Sequence, residues 1–217
     1  LCRLRCNTMM LPTHGLIGLA LALPVLVVAP EHADVALTAG LLGGLIPDLD
    51  MYVGHRKTLH YPVYYSALAV VALPVAAALP TTVTIATAFG LLGAATHSVM
   101  DIFGGGLELR PWEATSSRAV YSHHHDRWLA PRRWVRYDGA PEDLVLSVAV
   151  AGPLLLTLEG TLRVVVGAAV VIAIVYTAVR RLLPLIAEGL ITGYLLRTVP
   201  HSMLARLPAR YVPDHVE

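Results

Sequence analysis

Apolar residues gather in runs at 15–29, 35–46, 61–80, 82–101, 144–158 and 161–183, with a shorter run at about 185–196. Runs of this number and length leave lipid, or a very apolar bundle, as the surroundings of most of the chain. Composition agrees, with 56% hydrophobic and only 14% charged residues and a mean hydropathy of +0.63. The expected fold class is all-α, a polytopic membrane bundle of about five to seven apolar helices. Only 61–80, 82–101 and 161–183 have the roughly 20 residues of a full crossing. The shorter runs are expected to be tilted, to reach into the headgroups, or to be buried by neighbours. Glycine and alanine in "GLLGGLIP" (40–47) and "FGLLGAA" (89–95) suit close helix packing in lipid, and Pro24, Pro74 and Pro153 are expected to kink their helices.

The runs divide the chain into a leader (1–10), one membrane domain (11–196) and an irregular cytoplasmic tail (197–217). Cys2 and Cys6 both precede Met9-Met10 and form neither a zinc-site pattern nor a disulfide framework. Arg3 and Arg5 before an apolar run also fit a secretory signal peptide. The recurrence of apolar runs argues against it, and cleavage would discard His14.

A net charge of +1 says nothing about partners as a total, so the placement of the charges carries the information. If each of the first four runs crosses once, one face receives 47–60 and the long polar stretch 103–143. That face holds Arg56, Lys57, Arg110, Arg118, Arg127, Arg132, Arg133 and Arg136, while the turns at 30–34 and 80–82 carry no Lys or Arg. The excess of positive charge makes this the cytoplasmic side of an inner membrane. Arg180 and Arg181 agree; Arg163 is a mild exception.

Ionisable residues near the ends of the runs fall on that same face. His14 opens the first run, Asp48 and Asp50 in "PDLD" end the second, His60 opens the third, and His97 with Asp101 closes the fourth. Positions i and i+4 share a helix face, so His97 and Asp101 can address one atom. Asp48 and Asp50 can both aim into one site if the backbone there is extended. Imidazole nitrogen and carboxylate oxygen are the usual ligands of zinc and similar divalent ions. Each residue alone would more often be a helix cap or an interfacial group. Together the three histidines and three carboxylates suffice for one metal ion, or for two bridged by an aspartate.

His14 in "THGLIG", "PDLD" at 47–50, "HRKTLHYP" at 55–62 and "HSVMDIFGGG" at 97–106 resemble the YdjM-like family of membrane-bound metal-dependent hydrolases. Some members are described as LexA-binding and inner-membrane-associated. The family pattern is an early His, P-D-x-D, H-R-x-x-T-H-S, then H-x3-D with a glycine-rich turn, and the resemblance covers roughly residues 11–112. Leu59 and Tyr61 stand here where that pattern has Thr and Ser beside the second histidine. The order is also similar to the metal core of zinc-dependent phospholipase C and the S1/P1 nucleases. That likeness implies Asp48 or Asp50, His60, His97 and Asp101 on one zinc ion, and His14 with a shared Asp101 on a second. Further ligands would come from His123, His124, His125 or Glu108.

The expected activity is hydrolysis of a phosphoester, lipid-borne or otherwise, by a metal-activated water at the cytoplasmic interface. Asp50 is the expected proton acceptor, and Arg56 the expected phosphate contact, although Arg56 also reads as a positive-inside residue. "SHHHDRW" (122–128) can supply at most two histidines to any site and reads more readily as an exposed or headgroup-contacting loop. Trp112, Trp128 and Trp134, interleaved with arginines, suit an interfacial collar on anionic lipid. No recognition motif accompanies them, so nucleic acid is not an expected partner. The alternative function is a non-catalytic membrane protein with a structural metal, whose 103–143 loop docks a cytoplasmic protein. A transporter would place ligands at mid-membrane and on both faces.

Overall fold

The computed structural model describes residues 9–108 and 110–190. The expectations for Cys2, Cys6 and the 197–217 tail lie outside these residues. Eight helices follow in order: α1 (Leu11–Leu21), α2 (Val25–Val28), α3 (Ala33–Leu45), α4 (Pro62–Ala78), α5 (Thr82–Phe103), α6 (Pro141–Thr157), α7 (Gly160–Val179) and α8 (Leu183–Leu190). The mostly helical expectation therefore holds. To it the structure adds one small antiparallel hairpin, β1 (Tyr121–Ser122) with β2 (Arg127–Trp128).

Among the described residues, three stretches are long and apolar enough to cross a membrane: Leu11–Val28, Thr82–Phe103 and Gly160–Val179. The run at 61–80 was expected to be full length but yields 17 helical residues. Leu79 precedes Pro80, whose ring disfavours helical backbone before it, and Leu79 leaves the helix with ψ of 74°. The first run is longer than expected because α1 already starts at Leu11, with Pro12 in its first turn, where no amide is needed. Pro24 does more than kink: α1 stops at Leu21, the chain tightens through bonds such as Leu23 N–H to Ala20 O (3.1 Å), and α2 starts at Val25. Pro74 and Pro153 stay inside α4 and α6.

α3 is the axis of the bundle, held against α1 and α5 by glycine. A Cβ on Gly44 would lie 2.5 Å from the His14 carbonyl oxygen, and one on Gly93 would lie 2.5 Å from the Gly40 carbonyl oxygen. Backbones can approach this closely only without side chains. Leu16, Leu19, Leu37, Ile85, Leu154 and Val166 close the apolar core, drawing on α1, α3, α5, α6 and α7. Large apolar side chains are instead exposed on the outer faces of α4 (Leu68, Val70, Val71) and α7 (Val164, Val171, Ile174), as expected of a lipid-facing belt.

One end of the bundle is pinned by polar contacts. The buried Asp143 carboxylate, in the first turn of α6, accepts the Met10 amide (2.8 Å), the Gly139 amide (3.1 Å) and the Thr13 hydroxyl (2.7 Å). The stretch after the hairpin folds back on the last turn of α5, where Arg132 N–H donates to Ile102 O (2.7 Å) and Val135 N–H to Phe103 O (3.1 Å). These bonds satisfy carbonyls that a helix end leaves orphaned. The polar 103–143 region is thus a cap on one end of the helices.

Candidate metal centre

Under that cap the ends of four helical segments bring together side chains far apart in sequence. His14 comes from the first turn of α1, Asp48 from the 3-10 helix Ile46–Tyr52 that prolongs α3, His60 from just before α4, and His97 with Asp101 from the last turns of α5. All five are buried, at 6% exposure for Asp48 and at most 1% for the others.

Asp48, His60, His97 and Asp101 each offer one ligand atom, and these atoms lie within 4.8 Å of one another. His60 Nε2 is 3.2 Å from His97 Nε2 and 3.1 Å from Asp101 Oδ2. Asp48 Oδ1 stands 3.4 Å from His97 Nε2 and 3.7 Å from His60 Nε2. The far nitrogen of each ring fixes its tautomer. His97 Nδ1 is 2.7 Å from the Gly44 carbonyl oxygen, and His60 Nδ1 is 3.0 Å from Asp50 Oδ2. Both oxygens only accept, so each Nδ1 carries a proton, and in its neutral form each ring turns a lone pair inward at Nε2.

With both rings neutral, four acceptors face one another in a buried site. A proton can bridge two of them, whereas a divalent ion meets all four. Charge points the same way: of the three buried carboxylates, Asp48, Asp50 and Asp101, only Asp101 meets a guanidinium, that of Arg56, so with neutral rings two negative charges remain that a divalent cation would neutralise. Burial opposes a charge on His60, yet the Asp101 and Asp50 carboxylates beside it raise its pKa above the ordinary value. Burial would likewise raise the Asp48 carboxyl, and the neighbouring His97 holds it below its usual value. The field of the site draws positive charge to its centre. The group could hold a metal ion through two nitrogens and two oxygens, a donor set that suits zinc or a similar ion.

His14 and Asp50 lie one step outside this group. His14 Nε2 meets the opposite oxygen of Asp101, Oδ1, at 3.1 Å, and its ring stacks on that of His97 with centroids 3.7 Å apart. Asp50 sits behind His60. Its oxygens are taken by His60 Nδ1, His55 Nδ1 (3.0 Å), the Leu59 amide (2.9 Å) and the Arg56 amide (3.3 Å). The expectation that both aspartates of "PDLD" aim inward assumed extended backbone. In a 3-10 helix, residues two apart point in different directions, so Asp48 faces the centre and Asp50 the loop. Burial alone would raise the Asp50 carboxyl, but the hydrogen bonds from His55 and His60 hold it well below the carboxylate range.

Arg56 is neither an exposed positive-inside residue nor an open phosphate contact. It is fully buried, with Nη1 donating to Gly105 O (2.8 Å) and Ala119 O (3.3 Å), and Nε 3.5 Å from Asp101 Oδ2. Its backbone is left-handed (φ 59°), and its carbonyl accepts the Tyr121 amide of the hairpin at 2.9 Å. A non-glycine residue held there marks a position whose surroundings over-determine it.

None of the three consecutive histidines joins the centre. His123 stacks on Tyr61 at 4.5 Å and its Nε2 bonds the Lys57 carbonyl oxygen (2.6 Å), while His124 and His125 are exposed at the hairpin turn. Glu108 also lies outside the group of four, with both carboxylate oxygens buried and without a hydrogen bond. Trp134 is 75% exposed, and Trp112 and Trp128 are half-buried. Two contributors were not anticipated, the Gly44 carbonyl and His55. A backbone carbonyl leaves no mark in sequence, but His55 was signalled by its place five residues before His60.

The fold and the centre define a helical protein with, among the described residues, three membrane-length apolar segments and a buried histidine–aspartate group able to hold a metal ion. No family model, curated protein or solved structure matches the chain.

Proposed function

We propose that the protein is a multi-pass inner-membrane hydrolase, dependent on a divalent ion such as zinc, that cleaves a phosphoester at the cytoplasmic face. The observation that carries this reading is the convergence of His60 Nε2, His97 Nε2, Asp48 and Asp101 on one buried point. Held by these four residues, a divalent ion would supply a water of lowered pKa and a Lewis acid for a phosphoryl oxygen. Asp50 and the Gly44 carbonyl hold the two imidazoles in the ligating tautomer, as outer hydrogen bonds do in metal sites generally. His14 and Arg56 fix the two oxygens of Asp101 from opposite sides. Because both Asp50 oxygens are engaged, the role of proton acceptor passes to Asp48 Oδ2, the oxygen not counted among the four ligand atoms; Asp48 also lines the cavity beside the centre. The motif resemblance to membrane-bound metal-dependent hydrolases supports the same chemistry. Sidedness rests on the arginines of 103–143, which cap the end of the bundle where the centre lies.

A screen of phosphomonoesters, phosphodiesters and phospholipids tests this reading. Purified protein with zinc is expected to turn over at least one class, and Asp101→Asn to lose 100-fold or more of the rate. Absence of turnover on every class would leave a structural metal and contradict the hydrolase.

A further inference from the structure

The centre is closed on most sides, so the route by which a substrate reaches it is informative. A cavity of about 410 Å³, within the roughly 300–1,000 Å³ typical of ligand sites, adjoins it between α1, α3 and α7. Its walls are almost wholly apolar, with Leu16 and Leu19 from α1, Leu41 and Leu45 from α3, and Val165 and Ile172 from α7. Two carboxylates stand among these walls. One is Asp48 of the metal group; the other is Asp138, whose Oδ1 is buried and without a hydrogen bond.

The long axis follows the helices. On α7 the lining runs from Val165 to Tyr176, which at the helical rise spans about 16 Å. Tyr176 bonds Asp138 and so marks the polar end; Val165 and Leu19 mark the deep end. The groove also opens sideways, since Leu11 and Ile172 on its rim are 42% and 57% exposed. Both rim residues belong to segments long and apolar enough to cross a membrane, and if these segments span it the opening faces hydrocarbon.

We infer that the substrate is a membrane amphiphile, with one hydrocarbon chain lying in the α1–α3–α7 groove and its phosphoester head at the metal centre. The groove is too apolar for the body of a soluble sugar phosphate or nucleotide, and its apolar lining along α7 has the length of an alkyl chain. Its continuity with Asp48 orients that chain with the head towards the ligands, and Asp138 Oδ1 offers an acceptor to a headgroup hydroxyl. The inference rests on the hydrolase reading for the chemistry but not for the binding.

Binding is therefore tested without turnover. A dodecyl phosphonate carrying a terminal photoreactive group is crosslinked to the purified full chain in zinc, in a phosphate-free detergent, and the modified residues are mapped by mass spectrometry. Crosslinks are expected on groove residues of α1, α3 and α7, displaced by excess dodecyl phosphate and not by a neutral dodecyl glycoside. Ala168→Trp, which puts an indole on an exposed groove-lining position of α7, should cut them about 10-fold. It should lower the preference for a dodecyl over a methyl phosphodiester, read as the ratio of kcat/KM, by a similar factor. Val71→Trp on the outer face of α4 should change neither, and Ile172→Trp replaces Ala168→Trp if that variant fails to accumulate. Crosslinks spread evenly over the outer face of α4, or unmoved by either groove variant, would overturn the inference. Groove crosslinks without turnover would keep the amphiphile and sink the hydrolase; turnover indifferent to chain length, without groove crosslinks, would do the reverse.

Discussion

Asp101 enters the interior with its charge divided: Oδ1 faces His14, and Oδ2 faces His60 and Arg56. Removing one partner of such a group leaves a buried charge uncompensated, so Arg56→Met is expected to destabilise the fold by about 3–5 kcal/mol, measured by thermal or chemical unfolding. Asp50→Asn is subtler because it leaves all four ligands in place. It loosens His60 and should weaken metal affinity roughly 10- to 100-fold, read by competition with a chelator of known affinity. Asp50 also predicts a pH dependence. Its folded pKa lies below the ordinary 3.8, so its contribution to stability is complete above that value and is lost as pH falls through the depressed one. In metal-stripped protein, the gap in melting temperature between wild type and Asp50→Asn should be open at about pH 5 and close only as pH falls below about 4. His60, His97 and Asp101 were legible from their places at the ends of apolar runs, whereas His14, expected as a ligand, stands outside the group against Asp101 Oδ1. The separate roles of Asp48 and Asp50 were not, because they depend on whether seven residues coil as a 3-10 helix or extend.

Elements place these residues through close backbone contact. Gly44 serves twice, bringing α3 against α1 beside His14 and presenting its carbonyl to His97. A methyl group there collides with backbone that cannot yield as a flexible side chain would. Gly44→Ala should therefore cost about 1–3 kcal/mol and lower metal occupancy together with the melting temperature. The apolar runs announced the helices α3 to α7 to within a few residues, since helix and hydrophobic run coincide in such a chain. They were less informative where proline intervened, as Pro80 shortened α4 and Pro24 divided the first run. The folding of 103–143 into a cap was not legible either. Its hydrogen bonds run from backbone to distant backbone, as between Arg132 and Ile102, and no residue pattern records them.

At the scale of the whole molecule, the account requires that the centre, the cap and the arginines share one side of the membrane. In a chain whose own cysteines are replaced, Lys57→Cys and Arg127→Cys should resist a membrane-impermeant thiol reagent applied to intact cells, whereas Thr81→Cys, in the turn between α4 and α5, should react. All three side chains are exposed, so access would be limited by the membrane. Everything functional depends on the centre being a metal site. The most direct measurement is elemental analysis of the purified full chain, wild type beside His97→Ala and Asp101→Ala, each checked for a folded, monodisperse state. The account predicts about one divalent ion per wild-type chain and almost none in either variant; metal content unchanged in the variants, or no metal bound by the wild type even after zinc is supplied, would contradict it.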